Sequence, residues 1–167
     1  KALGVPVWQL LGGKSRDYVE CYATSYPTPK GGTLEDAARA CVAEGFRAYR
    51  TGVRENQEFD RFRAVEQTIE DCQAIRRGVG KDGAWAIDFH GTMDPQDAVT
   101  LATALEPLRP FFCEDLIRGE NIDIYKTLRP RLRVPIAVGE IYGVKWEMSP
   151  LIEQNLIDFA RCTVPNV

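Results

Sequence analysis

Three carboxylates and one histidine hold the residue types and spacing for chemistry. Asp88 and His90 close the apolar run "WAIDFH" (85–90), Glu114 closes "PFFCED" (110–115) and Glu140 closes "PIAVGE" (135–140). His90 is the only histidine in 167 residues, and the three acids are spaced by 26 and 26 residues, about one strand–helix unit each. Residues two apart on a strand project to the same side, so Asp88 and His90 are expected to share one face. Carboxylates on neighbouring parallel strands, about 4.8 Å apart, converge and repel strongly in a low-dielectric site. A divalent cation relieves that repulsion, and an all-oxygen ligand set favours Mg²⁺ (or Mn²⁺) over zinc. Beside such a cation, His90 is placed for proton transfer, as acid or base. A single acid at a strand end is ordinarily a cap or an ion-pair partner: Asp88 for the turn that follows, Glu114 for Arg118 or Arg133. Three in even register next to the sole histidine point instead to a reaction centre.

The elements that must position these residues follow from the alternation of short apolar runs with amphipathic patterns. Strands are expected at 19–24, 48–52, 85–90, 110–115, 135–140 and 157–163; they are short and evenly apolar, as parallel strands buried on both faces are. Thr33 and Asp36 form a capping-box-like start for a helix carrying Leu34, Ala37, Ala38 and Cys41, with Gly45 as its stop. Phe62, Val65, Ile69 and Cys72 form a second helical stripe that ends near Gly78. Asp94 and Pro95 read as N-cap and first position of a third helix, leading into Ala98, Leu101, Ala102 and Leu105. A shorter helix fits 122–128, stopped before Pro130, and Ser149–Pro150 opens the last one. Six strands joined by helices must run parallel with right-handed crossovers. The fold class is therefore α/β, either an open doubly wound sheet or a (β/α)₈ barrel. No glycine-rich phosphate loop supports the first, whereas polar residues at successive strand C-termini suit the second. A closed barrel needs roughly 200 residues or more, so about six βα units are expected to form a partial, incomplete (β/α)₈ barrel over 15–167. Residues 1–14, "KALGVPVWQLLGGK", read as the tail of a preceding capping-domain or linker element.

Composition narrows the partners. With 44% hydrophobic and 27% charged residues the chain is of the ordinary globular class. A net charge of -3 argues against nucleic acid or an anionic membrane surface as the main partner. No apolar run reaches the roughly 20 residues of a membrane span. The five cysteines are scattered and never form C-x-x-C, which reads as small buried thiols in a reducing cytoplasm.

The same residues carry a resemblance. "DFHG", "FFCEDL" with "GEN" just after it, and "PIAVGE" resemble the metal-binding strand ends of the enolase superfamily, in its mandelate racemase/muconate lactonizing enzyme branch. "LGVPVWQLLGG" is similar to that branch's approach to its barrel, and "LIEQNLIDFARCTVPNV" to the segment before its sixth and seventh strands. The D-x-H form on the third strand points to the acid-sugar dehydratases, such as galactonate and mannonate dehydratases. The resemblance implies that Asp88, Glu114 and Glu140 hold Mg²⁺, which binds the carboxylate of a sugar-acid substrate. A base takes the α-proton, the cation stabilises the enediolate, and His90 is the general acid that protonates the departing 3-hydroxyl. The product so implied is a 2-keto-3-deoxy sugar acid, and the enzyme so implied is a lyase. Racemases of the branch carry K-x-K on the second strand; here Arg50 and Gly52 stand there, so a lysine base is absent. Arg50 matches the arginine of mannonate dehydratase-like members and is implied to bind substrate; as a residue by itself it is equally an ion-pair arginine. Their partner tyrosine has no clear counterpart in "GVRENQEFDRFR", and Asn166 stands where relatives have a histidine. Epimerisation or cycloisomerisation of a carboxylate, or an inert metal-binding relative, are the alternatives. The resemblance further implies assembly as a homo-oligomer.

Overall fold

The computed structural model of the chain describes residues 1–54 and 60–163. Its six strands, β1 (Ala23–Thr24), β2 (Ala48–Gly52), β3 (Ala84–Asp88), β4 (Cys113–Glu114), β5 (Ile136–Val138) and β6 (Phe159–Ala160), form one sheet, ordered β1-β2-β3-β4-β5-β6. Every pairing is parallel. This order separates the two candidate architectures. A doubly wound sheet reverses its strand order at a switch point; here each strand lies beside its predecessor, as in a stretch of (β/α)₈ barrel. The strand expected at 19–24 is confined to its last two residues, and Val19 and Tyr22 before it are exposed.

The helices are α1 (Val7–Leu10), α2 (Leu34–Ala43), α3 (Arg61–Val79), α4 (Pro95–Leu105), α5 (Ile124–Leu128) and α6 (Lys145–Glu153). Helix α2 begins at the capping box read from sequence: Thr33 Oγ1 accepts from the Asp36 N–H and Asp36 Oδ2 from the Thr33 N–H. Two expectations need correction. Gly78 does not stop α3 but lies inside it, and Gly80, at φ +69°, is the residue that ends the helix. Helix α6 opens not at Ser149 but at Lys145, because Glu147 Oε2 accepts the N–H groups of Gly143 and Val144 at 3.0 and 3.3 Å. Pro150 therefore sits inside the helix, which ends three residues later at Glu153. On α3 the expected stripe is shared out: Val65 and Cys72 are buried, whereas Phe62 is exposed beneath the Arg61 guanidinium.

Strand alternation divides the core. Tyr49, Trp85, Ile87, Cys113, Ile136 and Val138 face the helices and join the main core with Ala37, Cys72, Leu101 and Leu105. Their neighbours on the opposite face, Ala86, Phe112 and Ala137, form a second small cluster without any helix residue. That second face is where barrel side chains meet one another, and Asp88 and Glu114 lie on it, two residues beyond Ala86 and Phe112. No helix among the described residues is long and apolar enough to cross a membrane. Cys41, Cys72 and Cys113 are buried as expected, but Cys21 and Cys162 are exposed; all five are free thiols.

Candidate active site

Asp88 and Glu114 are register partners at the C-terminal ends of β3 and β4. Glu114 in turn pairs with Ala137, so Glu140 lies three residues further along and not at the same height. Strict alternation would send a residue at that distance to the helix face. Gly139 changes this: at φ +136° it takes a backbone conformation that side chains disfavour, and the chain swings so that Glu140 meets Arg161 Nη2 at 3.3 Å. The Gly139 N–H donates to Asp115 Oδ1 at 3.1 Å.

Two arginines thread the acids together. Arg50 places Nε 2.7 Å from Glu114 Oε2 and Nη2 2.7 Å from Asp88 Oδ2. Arg161, one residue past β6, places Nε 2.9 Å from Glu114 Oε1 and also binds Thr163 Oγ1. Glu114, with no exposed surface, thus has a guanidinium on each oxygen. The ordinary ion-pair alternative for Glu114 named Arg118 or Arg133; the arginines that bind it are Arg50 and Arg161, and Arg133 faces Glu106. His90 lies beyond the end of β3 in a left-handed turn at φ +52°. Its N–H donates to Asp88 Oδ1 at 2.7 Å, and its Nδ1 lies 3.1 Å from Asp88 Oδ2. Asp88 therefore caps its turn and orients the imidazole at once, and its hydrogen bond and charge raise the His90 pKa. Asp115 is buried, which pushes its pKa up to about 6; the Gly139 N–H opposes the shift, and Glu114, Asp88 and Glu140 add to it.

Among the described residues, two groups of three bring one donor atom each within 4.8 Å of one another: Asp88, His90 and Glu140, and Asp88, Glu114 and Asp115. Asp88 is common to both, while Glu114 and Glu140 are linked through Arg161. A cavity of about 470 Å³ opens on this corner, with His90, Thr92, Asp115, Ile117, Val138 and Glu140 in its wall. Residues 33–167 match the family model described as Enolase C-terminal domain-like. The chain belongs to this family. D-mannonate dehydratase of Sphingomonas sp. (strain SKA58) is 31% identical over 98% of the chain and 47% of its own length. D-galactonate dehydratase of Variovorax paradoxus (strain S110) is 32% identical over 93% of the chain and 41% of its own length. The solved structure of an enolase from Pantoea ananatis with bound D-gluconate and Mg has a TM-score of 0.80 at 28% identity, covering 99% of this chain and 48% of that one. The chain thus spans about half the length of the curated relatives it matches.

The donor chemistry of this enolase-like chain suits a hard dication. Four carboxylates (Asp88, Glu114, Asp115, Glu140) face two guanidiniums (Arg50, Arg161). Two negative charges remain when all four acids are ionised, and oxygen is the ligand that Mg²⁺ prefers. Sequence reasoning missed Arg161 and Asp115. Arg161 obeys the rule that marked the acids, a polar side chain just past a strand C-terminus. Asp115 adjoins Glu114 and was hidden by it. The aromatics near the strand ends do not gather at the site: Tyr49 and Phe89 are buried in the main core, Tyr142 donates to the Gly119 carbonyl, and Trp146 is exposed. Asn166 and residues 55–59 lie outside the described residues.

Proposed function

We propose that this chain carries the metal-binding part of a Mg²⁺-dependent dehydratase, a lyase that converts a sugar acid of the aldonate class to a 2-keto-3-deoxy sugar acid. In this reading 15–167 are barrel and 1–14 lead in from a covering domain. The observation that carries the reading is the meeting of Asp88, His90 and Glu140 at one strand-end corner, in a family whose named relatives include dehydratases of two different sugar acids. Asp88, Glu114 and Glu140 would hold the cation, which when bound supplies positive charge against the negative charge that builds on the substrate carboxylate as its α-proton leaves.

The residues of the chain supply the rest. Arg50 and Arg161 fix the acids in orientation, since each guanidinium spans two carboxylates. Asp88 holds His90 by two contacts and favours its protonated form, which is the form a general acid needs. Once a base has taken the α-proton, His90 gives its proton to the substrate 3-hydroxyl; the C3–O bond breaks, water leaves, and the enol loses its hydroxyl proton and gains one at C3 to become the 2-keto acid. Incubating the full-length protein with a panel of sugar acids and Mg²⁺ tests this. A 2-keto-3-deoxy product that disappears with a chelator and returns with Mg²⁺ is expected. Exchange of the α-hydrogen with solvent and no such product would instead indicate an epimerase, and neither would indicate an inert relative.

A further inference from the structure

We infer that Asp115 is the positioning residue that aims Glu140 into the site, an inference resting on the reading of Glu140 as a ligand. The sequence gives Glu140 the wrong parity to face Asp88, and the turn at Gly139 corrects it. That turn is pinned at both ends of one residue: the Gly139 N–H donates to Asp115 Oδ1 at 3.1 Å, and the Gly139 carbonyl accepts from the Tyr142 N–H at 3.2 Å. A Cβ at Gly139 would lie 2.2 Å from Met148 Cε and 2.4 Å from the Arg161 carbonyl oxygen, so any side chain there would force the Arg161 backbone to shift. Asp115 is itself anchored. Its N–H donates to the Ala137 carbonyl at 2.9 Å, its carbonyl accepts from the Gly91 N–H at 2.8 Å, and its φ of +41° turns it off the line of β4. One buried residue therefore ties the β4 end to the turn that carries His90 and to the turn that carries Glu140. A partner that holds a ligand in place acts without touching the metal.

The competing role is that Asp115 is itself a ligand, since it also lies within 4.8 Å of donors on Asp88 and Glu114. Asn separates the two, because its Oδ1 still accepts the Gly139 N–H while the charge is gone. In the full-length protein, Mg²⁺ affinity is measured by calorimetry and protection of the Gly139 amide by hydrogen exchange, for wild type, Asp115→Asn and Asp115→Ala. Asp115→Ala is expected to weaken Mg²⁺ binding by about 10-fold or more, the range that orienting partners of ligands command, and Asp115→Asn, which keeps the acceptor, by clearly less, no more than about threefold. Amide protection should be lost in Ala and kept in Asn. Loss of Mg²⁺ binding in Asn with the amide still protected would overturn the inference, as would an Ala variant unchanged in both readouts. Where Ala does not fold, the Asn variant decides alone by the same limit. Where wild type takes up no Mg²⁺, the ligand reading fails by itself, and amide protection decides whether Asp115 holds the turn.

Discussion

Asp88 Oδ2 takes both the Arg50 guanidinium at 2.7 Å and the His90 Nδ1 at 3.1 Å, and the two neighbours are bound for different reasons. Arg50 is buried and offsets charge; the His90 side chain is 69% exposed and faces the cavity. His90→Asn should cut β-elimination by about 100-fold or more, the usual worth of a positioned general acid. Exchange of the α-hydrogen in deuterated water should persist, since it needs no leaving group to be protonated. Product yield and proton NMR together check this, and undiminished dehydration would reject His90 as the acid. Arg50→Met leaves Asp88 without its guanidinium and Glu114 with one instead of two. Removing one partner of a buried ion pair costs about 3 kcal/mol. That loss is expected in urea unfolding of the metal-free protein and should shrink when Mg²⁺ is present.

At the scale of elements, Gly78 is instructive. In the interior of a helix, Gly→Ala gains about 1 kcal/mol from propensity alone. At Gly78 a Cβ would lie 2.3 Å from the Glu35 carbonyl oxygen and 2.7 Å from Ala38 Cβ, because α3 crosses α2 there. Gly78→Ala is therefore expected to destabilise by about 2 kcal/mol, the scale of overpacking, in thermal or urea unfolding; a gain would show that the helices part freely. The start of α2 gives a pH prediction. The Thr33 backbone N–H, with the Thr33 hydroxyl and Arg39, holds the Asp36 carboxyl below its ordinary value. A lowered pKa means stability that is present above the unfolded value and is lost as pH falls through the folded one. The difference between wild type and Asp36→Asn should accordingly vanish at the acid end of a pH series of unfolding curves. If it persists there, the cap acts through shape and not charge. Both capping residues were legible in sequence because a capping box is local. The true limits of α3 and α6 were not: Gly78 answers to a neighbouring helix, and the Glu147 cap competes with the strong local signal of Pro150.

Across the whole molecule, the site is an assembly of strand ends from β2 to β6, so in the proposed reading cation binding would be linked to folding. A ligand that binds only the folded state stabilises it by about 2.7 kcal/mol at 100 times its Kd. Mg²⁺ is expected to raise the melting temperature of the full-length protein and a chelator to reverse the rise, read by calorimetry; no shift at any Mg²⁺ concentration would count against the cation site. The sequential strand order makes this linkage possible, since it brings β3, β4 and β5 side by side with their C-terminal ends on one rim.

Sequence alone determined the alternation of strands and helices, the parallel sheet and the strand-end positions of Asp88, Glu114 and Glu140, because periodicity and capping act over a few residues. The resemblance to the enolase superfamily was also legible, since its motifs lie at those same ends. Only the tertiary structure decided which face Glu140 takes, through the Gly139 turn and its bond to Asp115. It also decided that Arg50 and Arg161, 111 residues apart in the chain, grip the two oxygens of one glutamate. Those outcomes depend on backbone conformation at single residues and on pairings between distant strands, and neither leaves a local pattern to read.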